Sequence, residues 1–144
     1  GEVCLALMDE DLRHFQDRTL ALLAEQGSAS PLALLAAFLD SLVRFMGGHA
    51  ALMCEAEQQG ALRNRPEINQ TSLHDWFRTT VLLLLRNGQA EGEIAGDADL
   101  DYLADAVLAP LNPRLIRHQL REHTMPLDII SERLVRFVMG GVRG

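Results

Sequence analysis

Apolar residues recur along this chain at helical spacing nearly everywhere, and the strict alternation of a half-buried strand is almost absent. Leu5, Met8, Leu12, Phe15, Thr19, Leu22 and Leu23 predict one long amphipathic helix over residues 2–25, stopped at Gly27. Ser28 and Ser30 supply start signals for the next helix, and Pro31 follows at a first helical position, where its missing N–H costs nothing. Residues 31–46 are apolar almost all round, broken only by Asp40, Ser41 and Arg44 on a narrow stripe, which predicts a central, buried helix. Gly47-Gly48 predicts an interruption, a shorter helix over about 49–59 and a stop at Gly60. Residues 61–70, with Pro66 and two Asn, predict a loop.

The second half continues the pattern. Ser72 with Asp75 resembles a capping box, and Leu73, Trp76, Phe77, Thr80, Val81, Leu84 and Leu85 form one wide apolar face that runs to Asn87-Gly88. After the turn at Glu91-Gly92-Glu93-Ile94, Asp97 or Asp99 caps a fifth helix, where acidic residues suit the positive helix start. Its seam is Leu100, Leu103, Ala104, Val107, Leu108, Leu111 and Leu115. Pro110 and Pro113 fall inside that seam and predict a kink or a 3₁₀ stretch, with the helix resuming to about residue 121. Pro126 opens the last helix, with Leu127, Ile130, Leu134, Phe137, Val138 and Gly141 on one face and a frayed end at Gly140-Gly141. The expectation is a single all-α domain over residues 1–144, a six-helix bundle with short links.

A chain of 144 residues can bury roughly 68% of its unfolded surface, enough for a core without staples. Apolar residues make up 48% and charged residues 23%, which argues against disorder and fibrous classes. The longest run of large aliphatics, Val81–Leu85, is far short of the about 20 residues of a membrane span. No basic region precedes an apolar segment at the start, so a cytoplasmic protein with no membrane contact is expected. Net charge is −7, and all 13 basic residues are Arg, so the chain is a poor nucleic-acid binder by itself. Cys4 and Cys54 form no CxxC pair and are expected to be reduced, buried thiols.

No nucleophile elbow, phosphate loop or dinucleotide fingerprint occurs. His118 and Glu122 could share a helical face, with His123 one residue off that spacing, but two ligands do not make a metal site. Asp101 and Asp105 share an outer face with Asp99 at the cap, a solvated arrangement rather than a catalytic one. No metal and no cofactor is expected, and the chain is not expected to be an enzyme. Arg114, Arg117 and Arg121 form a basic stripe that suits a helix C-terminus.

Two features point to function. Phe38, Leu42, Phe45, Met46, His49, Met53, Trp76, Phe77 and Thr80 combine aromatics and methionines with a few polar groups, the lining of an adaptable small-molecule pocket as well as of a packed core. Leu100, Leu103, Ala104, Val107, Leu108, Leu111 and Leu115, with Ile130, Leu134, Phe137 and Val138, form two further apolar stripes. If these pack inward the bundle is a monomer; if they pair with a copy of themselves a two-fold four-helix interface results.

The residues also resemble a known family. The opening Gly1–Met8, the stretch Leu84–Ile94 with its Gly92-Glu93-Ile94 turn, the acidic start Asp97-Ala98-Asp99-Leu100, the segment Ala109-Pro110-Leu111 with Arg114-Leu115, and Pro126–Val138 are similar, in order and spacing, to the C-terminal regulatory region of TetR-type transcriptional regulators. The chain departs from the pattern at Asn112-Pro113, and it lacks the N-terminal helix-turn-helix. The resemblance implies a homodimer built on the fifth and sixth helices, an internal cavity for an unidentified small-molecule effector framed by the earlier helices, and DNA contact only through an absent N-terminal headpiece. Effector binding would shift the helix over residues 2–25 and lower operator affinity. Against this stand a small helical enzyme, which would need clustered carboxylates or histidines facing one cavity, and a stand-alone helical adaptor, which would need no cavity.

Overall fold

The computed structural model describes the backbone of residues 2–24, 29–58 and 70–144, and the side chains of residues 10–24, 29–49 and 73–144. The described elements are all helical: α1 (Glu2–Ala24), α2 (Pro31–Gln58), α3 (Gln70–Ala90), α4 (Leu100–Leu108), α5 (Pro113–Arg121) and α6 (Leu127–Arg143). No strand occurs among the described residues.

Helix α2 is the centre of the arrangement. Ser30 caps it, its Oγ accepting from the Ala33 N–H at 3.1 Å, and Pro31 takes the first helical position. Leu32, Leu34, Leu35, Phe38, Leu39, Leu42, Val43, Phe45 and Met46 are all buried. They point in every direction around the axis, so one neighbour cannot cover them, and α1, α3, α5 and α6 all pack against α2. The stretch Pro31–His49 is long and apolar enough to cross a membrane by length and composition, with a mean hydropathy of 1.4. Here that apolar surface is taken up by the surrounding helices, each fully buried Leu or Phe contributing about 1.5–3 kcal/mol.

The expected break at Gly47-Gly48 does not occur. Helix α2 runs through both glycines to Gln58, and the short helix expected over about 49–59 is its continuation. A glycine inside a helix costs only about 1 kcal/mol relative to alanine, too little to end a helix held on several sides. Gly47 has a packing reason: a Cβ there would lie 2.4 Å from Leu127 Cδ1, so its absence lets the start of α6 approach α2. Gly48 faces open space. Helix α6 likewise continues through Gly140-Gly141 to Arg143 rather than fraying, with Val142 buried beyond them. The expected stops at Gly27 and Gly60, the start signal at Ser28 and the loop over 61–69 lie outside the described residues. Helix α3 begins at Gln70, two residues before the expected start, and the Ser72 side chain lies outside the described residues.

The turn after α3 explains why Gly92, Glu93 and Ile94 stand together. Gly92 adopts a left-handed φ of 82°, its N–H donates to the Gln89 carbonyl at 3.1 Å, and the Glu93 N–H donates to the Gly88 carbonyl at 2.8 Å. This is a Schellman ending. Glu93 then turns back, and its Oε1 accepts from the Leu32 N–H at 3.3 Å, satisfying an orphan donor in the first turn of α2. Ile94 is buried in the space that Gly88 leaves beside Leu32. Three consecutive residues thus end one helix, cap another and plug the gap between them.

Asp99, not Asp97, caps α4, its Oδ1 accepting from the Tyr102 N–H at 3.1 Å. The kink or 3₁₀ stretch expected at Pro110 and Pro113 is instead a break between two helices. Pro110 cannot donate a helical hydrogen bond, the Leu111 N–H closes a turn onto the Leu108 carbonyl at 3.0 Å, and Asn112 is extended, as residues before proline tend to be. Asn112 then restarts the chain as a cap, accepting from the Leu115 N–H at 2.8 Å, with Pro113 at the first position of α5.

Alanine substitutions separate these glycine roles. Gly48→Ala is expected to stabilise the fold by about 0.5–1 kcal/mol, and Gly47→Ala to forfeit that gain against Leu127. Gly92→Ala should cost about 1–2 kcal/mol for the left-handed conformation. Urea unfolding of the three variants checks the order.

Candidate functional site

Helices α1, α2 and α3 meet in an aromatic cluster whose hub is Phe15 of α1. Its ring centroid lies 5.1 Å from Phe45, 6.1 Å from Phe38, 6.2 Å from Trp76 and 6.3 Å from Phe77. Trp76 also meets Phe38 at 6.1 Å and Phe77 at 5.7 Å, in edge-on geometries that suit the ring quadrupoles. Phe15 and Phe38 are fully buried, and Trp76 is half-buried.

The structure therefore brings together most of the residues nominated for an effector pocket. Phe38, Leu42, Phe45, Met46, Phe77 and Thr80 are buried, with Trp76 and His49 half-buried at the edge; the Met53 side chain lies outside the described residues. Phe15 was missed as a member. Its signal was the seam of the first helix, which marked it as apolar without saying which residues it would meet. The cluster offers few free polar groups. Thr80 Oγ1 donates to the Trp76 carbonyl and Thr19 Oγ1 to the Phe15 carbonyl, both at 2.9 Å, so both hydroxyls are spent on their own helices.

His49, expected to begin a helix, sits well inside α2. Its ring stacks on Phe45 at 4.5 Å, Nδ1 is 2.8 Å from the Phe45 carbonyl, and Nε2 is 2.9 Å from Asp11 Oδ2 on α1. His74 is exposed within α3.

Ionic contacts fasten the helices around this cluster. Arg44 Nε donates to Asp40 Oδ1 at 3.0 Å, Arg44 Nη1 to Asp128 on α6, and the buried Ser131 hydroxyl to Asp40. These bonds, that to Asp128 first and those to Asp40 next, hold the Arg44 guanidinium more firmly in its charged form. Arg78 of α3 donates through Nε to Asp105 Oδ1 at 2.9 Å, and through Nη2 to the Asp101 carbonyl at 3.2 Å. The bond to Asp105 is the main cause of its raised pKa. Asp99, Asp101 and Asp105 are thus occupied in capping α4 and tying it to α3.

No group of three metal-ligating side chains occurs among the described residues. The His118 and His123 rings meet edge-on at 5.0 Å, a ring contact rather than a ligand pair. The basic stripe needs a correction. Because α5 begins at Pro113, Arg114 stands in its first turn, and only His118 and Arg121 occupy the last turn that favours cations.

The residues nominated for a partner interface divide in two. Ala104, Val107, Leu108, Leu111, Ile130 and Val138 are buried by the chain itself, and Leu100, Leu103 and Leu134 are partly buried against the same core. Leu115 (37% exposed) and Phe137 (77%) remain open. Tyr102, which was not nominated, is 71% exposed.

Set against protein families, characterised proteins and solved structures, the chain matches none.

Phe15→Ala is expected to cost about 3–5 kcal/mol by opening the centre of the cluster. Arg78→Ala, whose carboxylate partners face water, should destabilise far less. Chemical denaturation of both variants gives the comparison.

Proposed function

We propose that this chain is the effector-binding and dimerisation domain of a TetR-like transcriptional regulator, acting on DNA in the cytoplasm through a headpiece outside this sequence. The all-helical architecture and the order of the Gly92-Glu93-Ile94, Asp99-Leu100 and Pro110-Leu111 segments along it agree with that reading. The observation that carries it is the exposed apolar surface on the C-terminal helices. Phe137 on α6 and Tyr102 on α4 stay open to solvent, whereas every other large apolar side chain described on α4, α5 and α6, Leu115 included, is more than half covered. Large aromatics are enriched at interfaces and costly to leave in water, and a second copy of the chain would cover them.

The effector site of this proposal is the aromatic cluster around Phe15. A small molecule entering between Phe38, Phe45, Trp76 and Phe77 would have to displace Phe15, and with it α1. Such a ligand shifts the DNA-binding equilibrium only by its differential affinity for the displaced arrangement.

A dimeric mass by light scattering at micromolar concentration is the expected result, and a monomeric mass would contradict the proposal. Phe137→Glu is the cleanest interface variant, because the side chain supports nothing inside its own subunit. It should weaken association by about 2 kcal/mol or more, as loss of a central aromatic anchor does. Val107→Glu or Leu111→Glu would unfold the core before reporting on the interface.

A further inference from the structure

His49 and Asp11 form the outer edge of the contact between α1 and α2, and the atoms around the imidazole fix its proton count. Nδ1 lies 2.8 Å from the Phe45 carbonyl, which can only accept, so Nδ1 carries a hydrogen. Nε2 lies 2.9 Å from Asp11 Oδ2. An ionised carboxylate also only accepts, so Nε2 carries a hydrogen as well; were Asp11 the protonated partner, the pair would hold the same number. Either way the docked pair contains one proton more than a neutral imidazole and a free carboxylate. Stacking on Phe45, with centroids 4.5 Å apart, holds the ring in this orientation. The His49 side chain is only 21% exposed, so water competes weakly for its second hydrogen bond.

The same seam opens into a cleft whose other charged lining groups are His14 and Arg18 of α1 and Arg44 of α2. All three oppose a cation at His49, but Arg44 is already held by Asp40 and by Asp128 of α6. Among the described residues, α3 and α6 add no titratable group to the lining. Asp11 is therefore the group that answers the charge on His49.

We infer that His49 and Asp11 are a proton-operated latch that fastens α1 to α2. With the extra proton in place, the two helices are joined across the outer seam. When it leaves for solvent, a lone pair on Nε2 faces a carboxylate and the tie is lost. The docked state binds the extra proton, so the latch is fully present at the acid end of the histidine range and fades as pH rises through about 5 to 8. It weakens again near about pH 4, where Asp11 loses its charge. Phe15 and its neighbours keep α1 docked without the latch, so pH changes how often α1 opens and leaves the fold in place. The latch lies within one subunit and stands whether or not the chain dimerises.

Hydrogen exchange of the full chain tests this when read as protection factors, with the intrinsic pH dependence divided out. Between about pH 6 and pH 8, protection of α1 is expected to fall about two- to fivefold, the range of a part-exposed ion pair. The fall should run in step with the loss of the doubly protonated His49 ring in its nitrogen-15 spectrum. The single Trp76, 6.2 Å from Phe15, reports the same opening by its emission. Asp11→Asn, at an exposed position, keeps the fold and should abolish the pH dependence, because an amide can donate to Nε2 or accept from it. His49→Gln should do the same, and His14→Gln, in the same cleft, should leave the dependence as it was. Protection of α1 that is flat across this range, a His49 ring with a single hydrogen at pH 6, or an Asp11→Asn variant with the parental pH dependence would each overturn the inference.

Discussion

Everything in this fold follows from the need to cover α2 on all sides. A helix with Leu32, Leu35, Phe38, Leu39, Leu42, Val43 and Met46 buried around its circumference cannot lie on a surface. It draws α1, α3, α5 and α6 onto itself, and its polar stripe, Asp40, Ser41 and Arg44, reaches water, as Ala33 and Gly48 do. That stripe is then used twice: Asp40 and Arg44 fasten α6 through Ser131 and Asp128, and Ser41 and Arg44 line the cleft beneath α1.

The same division of surfaces places the candidate functions. Where α1 meets α2 and α3, the inner side is aromatic and its hydroxyls are turned onto their own backbone, so it suits an apolar guest. The outer side of the same seam is polar and holds the contact between His49 and Asp11. The C-terminal helices, by contrast, are tied inward by Ser131 and by the Arg78 contacts on α4, and Phe137 and Tyr102 are the large apolar side chains they leave most exposed among the described residues.

Local chemistry was the most legible part of the sequence. Ser30-Pro31 and Asp99 act where a start signal should, because a cap needs only its own next three residues. What one residue type does in several settings was not legible. Gly47-Gly48 reads as punctuation, and only the approach of Leu127 shows that the first glycine is a contact surface inside a continuous helix. Asn112-Pro113 was a departure from a pattern, yet together they form a complete helix start once Pro110 has ended α4. The stripes of α4 and α6 showed which side chains avoid water. They did not show that Val107 and Ile130 are covered by their own chain while Phe137 is not, since a helical face carries no label for its neighbour. For the same reason Phe15 was visible as an apolar position and invisible as the hub of the cluster.

The central claim is that α2 is the last element to come apart because α1, α3, α5 and α6 all pack on it. Native-state hydrogen exchange read by mass spectrometry tests this directly. The account predicts that peptides covering Leu34–Met46 exchange slowest and only through global unfolding, with α1 and α5 opening earlier. Exchange of α2 amides as fast as those of α1, or slowest protection in α6, would contradict it.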